Sequence, residues 1–135
     1  MARAHEKVRY TPKGERYTAL TAAQGVEDAL KVLEGRWKLS ILFHLFGGKV
    51  LRFSDLERAI PAVSQKMLIQ QLRQMEADGV VRRTIYQQVP PKVEYRLTKW
   101  GQALCLALDG LLKWAELRER MTEKTEMPDS IERET

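Results

Sequence analysis

A chain of 135 residues has room for one compact domain with arms, not for two full domains. Its 44% apolar and 30% charged residues supply a core and exclude global disorder. The formal charge of +5 is concentrated in the middle: residues 36–100 carry twelve basic and five acidic side chains, a net +7, whereas residues 101–135 carry five and eight, a net −3.

A positive field centred on the middle of the chain points to a polyanionic partner. The longest apolar runs, residues 39–46 and 103–108, fall well short of the roughly 18–20 residues that span a bilayer. The first ten residues are polar and basic, with no apolar stretch of the secretory kind, so the expected compartment is the cytoplasm. A single cysteine, Cys105, and two histidines, His5 and His44, exclude an internal disulfide and a Cys₄ or Cys₂His₂ zinc site.

In chain order, residues 1–24 read as a polar arm broken by Pro12 and Gly14. Val26, Ala29, Leu30 and Leu33 then repeat at 0, 3, 4 and 7, one face of a helix. The stripe resumes after Gly35 as Trp37, Ile41, Leu42 and Leu45 and stops at Gly47-Gly48. The next helix is short. Ser54 and Glu57 form a capping-box pattern at its start, Leu56 and Ile60 are its apolar side, and Pro61 ends it. Across the turn Pro61-Ala62-Val63, Ser64 is a second N-cap, with Val63 and Leu68 in the positions of a hydrophobic staple. Leu68, Leu72 and Met75 carry the stripe to Gly79. Two capped helices on so short a turn cross steeply, which is the helix-turn-helix arrangement.

The period then changes to two. Val81, Arg83 and Ile85 alternate with Arg82, Thr84 and Tyr86, and Val93, Tyr95 and Leu97 alternate with Glu94 and Arg96. The intervening residues 87–92 include Pro90-Pro91 and Lys92, a stiff basic tip. The fold class is therefore mainly α with a small β-hairpin wing, a winged helix-turn-helix. Thr98 is the expected cap of a final helix striped by Leu104, Leu108, Leu111 and Ala115. Leu106, Leu112 and Trp114 add apolar surface beyond the one face that a small domain requires, which suggests a partner subunit. Residues 119–135 are polar and acidic and are expected to fray, leaving 25–118 as the folded domain.

With Leu68 at the centre of the buried face and about 100° per residue, Lys66, Gln70 and Arg73 lie on the outer side of residues 64–78, flanked by Gln65 and Ile69. No acid interrupts this face before Glu76. Arg and Lys suit guanine and Gln suits adenine in the major groove. Ser64 and the free N–H groups of the helix start suit a phosphate. Arg52, Ser54, Lys92, Arg82 and Arg96 are candidates for the flanking backbone; Arg82 or Arg96 could instead pair with Glu94. No nucleophile, base and orienting group can be assembled into a catalytic set, and no phosphate loop or dinucleotide fingerprint is present. The expectation is a non-enzyme without cofactor. His44, in an apolar helical run, reads as a packed residue, and Cys105 among leucines as an inert thiol.

Several linked motifs resemble one family. Gly35-Arg36-Trp37-Lys38-Leu39-Ser40-Ile41-Leu42 resembles the first core helix of the HxlR family of bacterial and archaeal transcription regulators, and Arg52-Phe53-Ser54-Asp55-Leu56 its second. Ile60-Pro61-Ala62-Val63-Ser64-Gln65-Lys66-Met67-Leu68 is similar to its turn and recognition-helix start. Glu76-Ala77-Asp78-Gly79-Val80-Val81-Arg82-Arg83 and Val89-Pro90-Pro91-Lys92-Val93-Glu94-Tyr95-Arg96-Leu97-Thr98 are similar to the wing's entry, hairpin and exit. The likeness extends over about residues 25–108.

The resemblance implies a MarR-like homodimer on inverted-repeat DNA, joined through its N- and C-terminal helices, here Val26, Leu30, Leu104, Leu108, Leu111, Leu112 and Ala115. Some members sense oxidants through a Cys-Pro pair before the first core helix. Gln24-Gly25 stand there in this chain, so that thiol is absent and a small-molecule effector, or none, is left. The competing reading of the same fold is a winged-helix module that binds protein rather than DNA.

Overall fold

A computed structural model describes residues 16–126. These divide into two units, one reaching to Arg36 and one starting at Trp37, a division inside the segment 25–118. The first unit contains α1 (Ala19–Val32). Thr18 caps it: its Oγ1 accepts from the Thr21 amide at 3.1 Å, and Thr21 Oγ1 accepts from the Thr18 amide at 2.9 Å. The helix thus begins inside the stretch read as an arm, because this reciprocal Thr pair supplies a capping box that the search for an apolar stripe passes over. None of its residues is buried. The expected arm up to residue 15 lies outside the described residues.

The second unit runs α2 (Lys38–Leu45), β1 (Leu51–Arg52), α3 (Phe53–Ala59), α4 (Gln65–Ala77), β2 (Val81–Tyr86), β3 (Lys92–Leu97) and α5 (Lys99–Glu126). The core is the set of stripes expected from periodicity: Ile41, Leu42 and Leu45 of α2, Leu56 of α3, and Leu68, Leu72 and Met75 of α4 are all buried. Ile60, Val63, Val80, Val81 and Leu97 close it. Lys38, in the first turn of α2, is buried with them.

The turn between α3 and α4 is closed by the Val63 amide, which donates to the Ile60 carbonyl at 3.2 Å. Ser64 Oγ then accepts from the Met67 amide at 3.1 Å, and the buried Val63 and Leu68 staple the entry to α4. At the other end Gly79 adopts φ +80°. The Val80 amide reaches the Met75 carbonyl at 2.9 Å and the Gly79 amide the Glu76 carbonyl at 3.0 Å, the paired bonds of a Schellman stop.

Three differences from expectation concern the edges of elements. The sheet has three strands, not two: β1 pairs antiparallel with β3, Leu51 opposite Tyr95 and Arg52 opposite Glu94, giving the order β1-β3-β2. Because this pairing holds Arg52 extended (ψ 167°), α3 begins at Phe53, and the N-terminal partner is Asp55 rather than the Ser54/Glu57 box. Asp55 Oδ2 accepts from the Arg52 amide at 2.8 Å. Third, α5 continues through residues 119–126, read as a fraying tail; Glu, Arg, Met and Lys are good helix formers and no breaker occurs before Pro128. Residues 127–135 lie outside the described residues.

Candidate nucleic-acid interface

The buried side of α4 turns Leu68, Leu72 and Met75 inward, so the opposite side is left to solvent: Ser64, Gln65, Lys66, Ile69, Gln70 and Arg73 are all exposed. Their backbones are fixed at both ends of the helix by the cap and the stop described above. Among the described residues no segment covers Lys66 or Gln70. Gln65, Ile69 and Arg73, one turn apart from each other, instead form one wall of a cleft of about 370 Å³ whose opposite wall is the sheet.

The sheet has two faces, set by its register. Arg82 stands opposite Arg96, Thr84 opposite Glu94 and Tyr86 opposite Lys92, with Arg52 joining Glu94 from β1. Of the two arginines weighed as partners for Glu94, Arg96 takes that place, its Nη2 at 3.8 Å from Oε1. Lys92 joins it at 3.5 Å, with its Nζ 4.6 Å from the centre of the Tyr86 ring. The expected basic tip is therefore held back along the strand, and the turn itself presents Gln87, Gln88, Val89, Pro90 and Pro91, with Val89 fully exposed. Arg52, Ser54 and Arg82 are exposed; Arg96 is half-buried.

On the other face, Arg83 lies opposite Tyr95 and Ile85 opposite Val93. Arg83, Val93 and Tyr95 line the cleft together with Phe53, Gln65, Ile69, Arg73 and Glu76. Arg83 Nε donates to Glu76 Oε1 at 3.4 Å, linking the sheet to α4. Burial pushes the Tyr95 phenol up from its ordinary 10.0, Arg83 pulls it down, Glu76 raises it and Arg73 lowers it. Sequence reasoning passed over Arg83, Glu76, Tyr95 and Phe53. The available signal was an arginine standing in the strand positions otherwise held by Val81 and Ile85.

The surface foreseen for a second subunit is divided. Leu108 is taken up by the chain's own core and Leu104 is half-buried, whereas Leu111, Leu112 and Ala115 are exposed, with Leu106 and Trp114 beside them in α5. Val26 and Leu30, in α1, are exposed. Cys105 is a half-buried free thiol. His44 is tied into its own helix, its Nδ1 2.8 Å from the Ser40 carbonyl, as a donor there. Among the described residues no cluster of metal-ligating side chains occurs and no helix is long and apolar enough to cross a membrane.

A helix-turn-helix whose second helix is followed by a β-hairpin, completed to a three-stranded sheet by the strand that precedes the first helix, defines the winged helix-turn-helix class of transcription regulator. Residues 32–123 match the family described as HxlR-like helix-turn-helix, and the chain belongs to that family. It is 54% identical over 89 residues to the helix-turn-helix type transcriptional regulator YtcD of Bacillus subtilis (strain 168), an alignment covering 66% of this chain and 70% of that protein. A second relative, a helix-turn-helix type transcriptional regulator of Methanothermobacter thermautotrophicus, is 42% identical over 92 residues, 68% of this chain and 70% of that protein. Among solved structures, a protein of Enterococcus faecalis V583 assigned to the MarR family superposes with a TM-score of 0.73 at 35% identity, over 84% of this chain and 99% of that one. The reduced form of the redox regulator HypR gives 0.66 at 41% identity, over 74% and 98%. These relatives carry the names of transcriptional regulators, and the helix-turn-helix family implies DNA binding.

Proposed function

We propose that the chain is a cytoplasmic, homodimeric, sequence-specific regulator that binds an inverted-repeat operator, each subunit laying α4 in a major groove. The observation that carries this reading is the exposed side of α4, where Gln65, Lys66, Gln70 and Arg73 stand together without an acid. Planar amides and a guanidinium in such a row match the donor and acceptor pattern of base edges. Ser64, Ser54 and Arg52 hold the flanking phosphates, and the turn at 88–92 lies along the neighbouring backbone or minor groove, with Arg82 and Arg96 behind it.

Dimerisation is supported by the exposed apolar side chains of a seam on α5, Leu111, Leu112, Trp114 and Ala115; in the first unit, Val26 and Leu30 of α1 are exposed apolar residues of the same kind. Leu104 reaches the seam by its exposed edge, and Leu108 supports it from the core. A two-fold dimer sets the half-sites about one helical turn, or a multiple of it, apart. An apolar seam of this kind is also where a small-molecule effector would sit and alter the separation of the two reading helices. With Gln24-Gly25 in place of a Cys-Pro pair, thiol sensing before α2 is not part of the proposal.

The test is a mobility shift on the DNA upstream of the chain's own gene. The wild type shifts it at a lower concentration than it shifts random DNA, and Arg73→Ala loses more on the specific site than on random DNA. Equal losses on both contradict a base-reading role.

A further inference from the structure

The cleft between α4 and the sheet holds two guanidiniums, Arg73 and Arg83, against one carboxylate, Glu76. Resting on the DNA-binding reading above, we propose that this cleft is a phosphate site that takes a phosphodiester of the bound DNA on Arg83, and that Glu76 occupies Arg83 until the DNA displaces it. Glu76, Arg83 and Tyr95 thereby become part of the binding surface.

Four observations support the assignment. The cleft carries an excess of one positive charge and opens beside Gln65, Ile69 and Arg73, so a strand read by that side of α4 runs past its mouth. The contact of Arg83 with Glu76 is long, 3.4 Å, and both side chains are more than a third exposed (40% and 37%); such a pair is weak and screened and is exchanged at little cost. A phosphodiester is the stronger partner for the same guanidinium, because it accepts two parallel N–H bonds in the plane of the fork. Finally, the half-buried Tyr95, opposite Arg83 in the sheet, keeps its phenolic proton at neutral pH and can donate it in a hydrogen bond to an anion. The exchange replaces one negative partner of Arg83 by another, so Arg83 has an anionic partner in both states.

Glu76 is then a competitor of the DNA backbone, and its effect must pass through Arg83. Glu76→Gln tightens binding to specific and random DNA alike by about three- to tenfold, and Arg83→Gln weakens both by about tenfold. In the proposed dimer Arg83→Gln also removes close to two units from the slope of log affinity against log salt, about one for each subunit. In the double variant the gain from Glu76→Gln disappears. Thermal melting of each variant verifies that the sheet is intact, and Arg83→Lys, a point charge without the fork, recovers part of the loss. If Glu76→Gln gives the same gain with and without Arg83, it acts only as a distant charge and the proposal is overturned; unchanged DNA affinity of Arg83→Gln overturns it too. Titration of the free protein with inorganic phosphate at constant ionic strength separates the two sources of the anion: saturation well below millimolar, with the DNA cycle flat, assigns the cleft to a free anion and not to the backbone. A wild type that shifts no DNA at all defeats the parent reading, an outcome distinct from a wild type that binds while the Glu76 and Arg83 variants stay level with it.

Discussion

The Thr98 hydroxyl donates to the carbonyl oxygen of Gly79 at 2.7 Å and accepts from the Gly101 amide at 3.0 Å. One side chain therefore joins the stop of α4, the end of the wing and the start of α5. The Thr98 amide adds a bond to the Val80 carbonyl at 3.0 Å. The approach is so close that a Cβ at Gly101 would collide with that carbonyl. Thr98→Val keeps the shape and removes the hydroxyl; it should destabilise the fold by about 1–2 kcal/mol, while Thr98→Ser stays near the wild type. Chemical denaturation of the three proteins measures the difference, and equal midpoints would refute the role.

Tyr95 gives a pH-dependent prediction with a definite sign. Its phenol is raised by burial above the unfolded value of 10.0, against the pull of Arg83. The unfolded chain loses this proton first as pH rises, so the contribution of the group is complete below about 10 and declines between the unfolded and the folded values. Stability measured at pH 8 and pH 11 should therefore fall more for the wild type than for Tyr95→Phe. An equal fall in both would mean that the phenol ionises as freely in the fold as in the open chain.

Leu112→Glu and Trp114→Glu place a charge on the exposed apolar side of α5. Light scattering should give the wild type twice the 15.6 kDa chain mass and the variants the mass of one chain, with helix content retained and operator affinity reduced at least tenfold, because each half-site then binds alone. A wild type of single-chain mass at micromolar concentration would remove the dimer from the proposal.

Lys92 is drawn along the strand by Glu94 and the Tyr86 ring. In the proposed complex its contact with DNA is to the backbone. If about eight phosphates are neutralised per dimer, the salt slope is roughly −7. Lys92→Ala should weaken specific and random DNA equally and flatten that slope; a loss confined to the specific site would make the turn a reader of sequence.

The helix-turn-helix was legible because two independent signals coincide there. The 3.6-residue stripe that ends in Met75 agrees with Ser64 and Gly79 about where α4 begins and stops, and the buried side follows directly. The wing was legible from its period of two. Other features were hidden for physical reasons. A two-residue strand such as β1 has no period to detect, and its pairing with β3 exists only in the folded chain. That pairing in turn starts α3 at Phe53 and makes Asp55 its capping partner in place of the Ser54/Glu57 box that the local sequence offers. Arg83 and Glu76 belong to different elements, so their pairing is a product of packing, and Arg83 in the register of Val81 and Ile85 looks like an exception to a rule until the cleft is seen. The depth of Leu108 depends on how α5 is seated, which a stripe of leucines does not specify.

Leu51 and Arg52 are at once the third strand of the wing and the run-in to α3. No slack segment intervenes between the two, so a push on the hairpin is transmitted to the helix-turn-helix instead of being absorbed as a swing of a loose flap. In the proposed dimer, docking onto a duplex then resembles setting down a stiff clamp, and adjustment to operators of different spacing falls to the coupling between protomers rather than to either head.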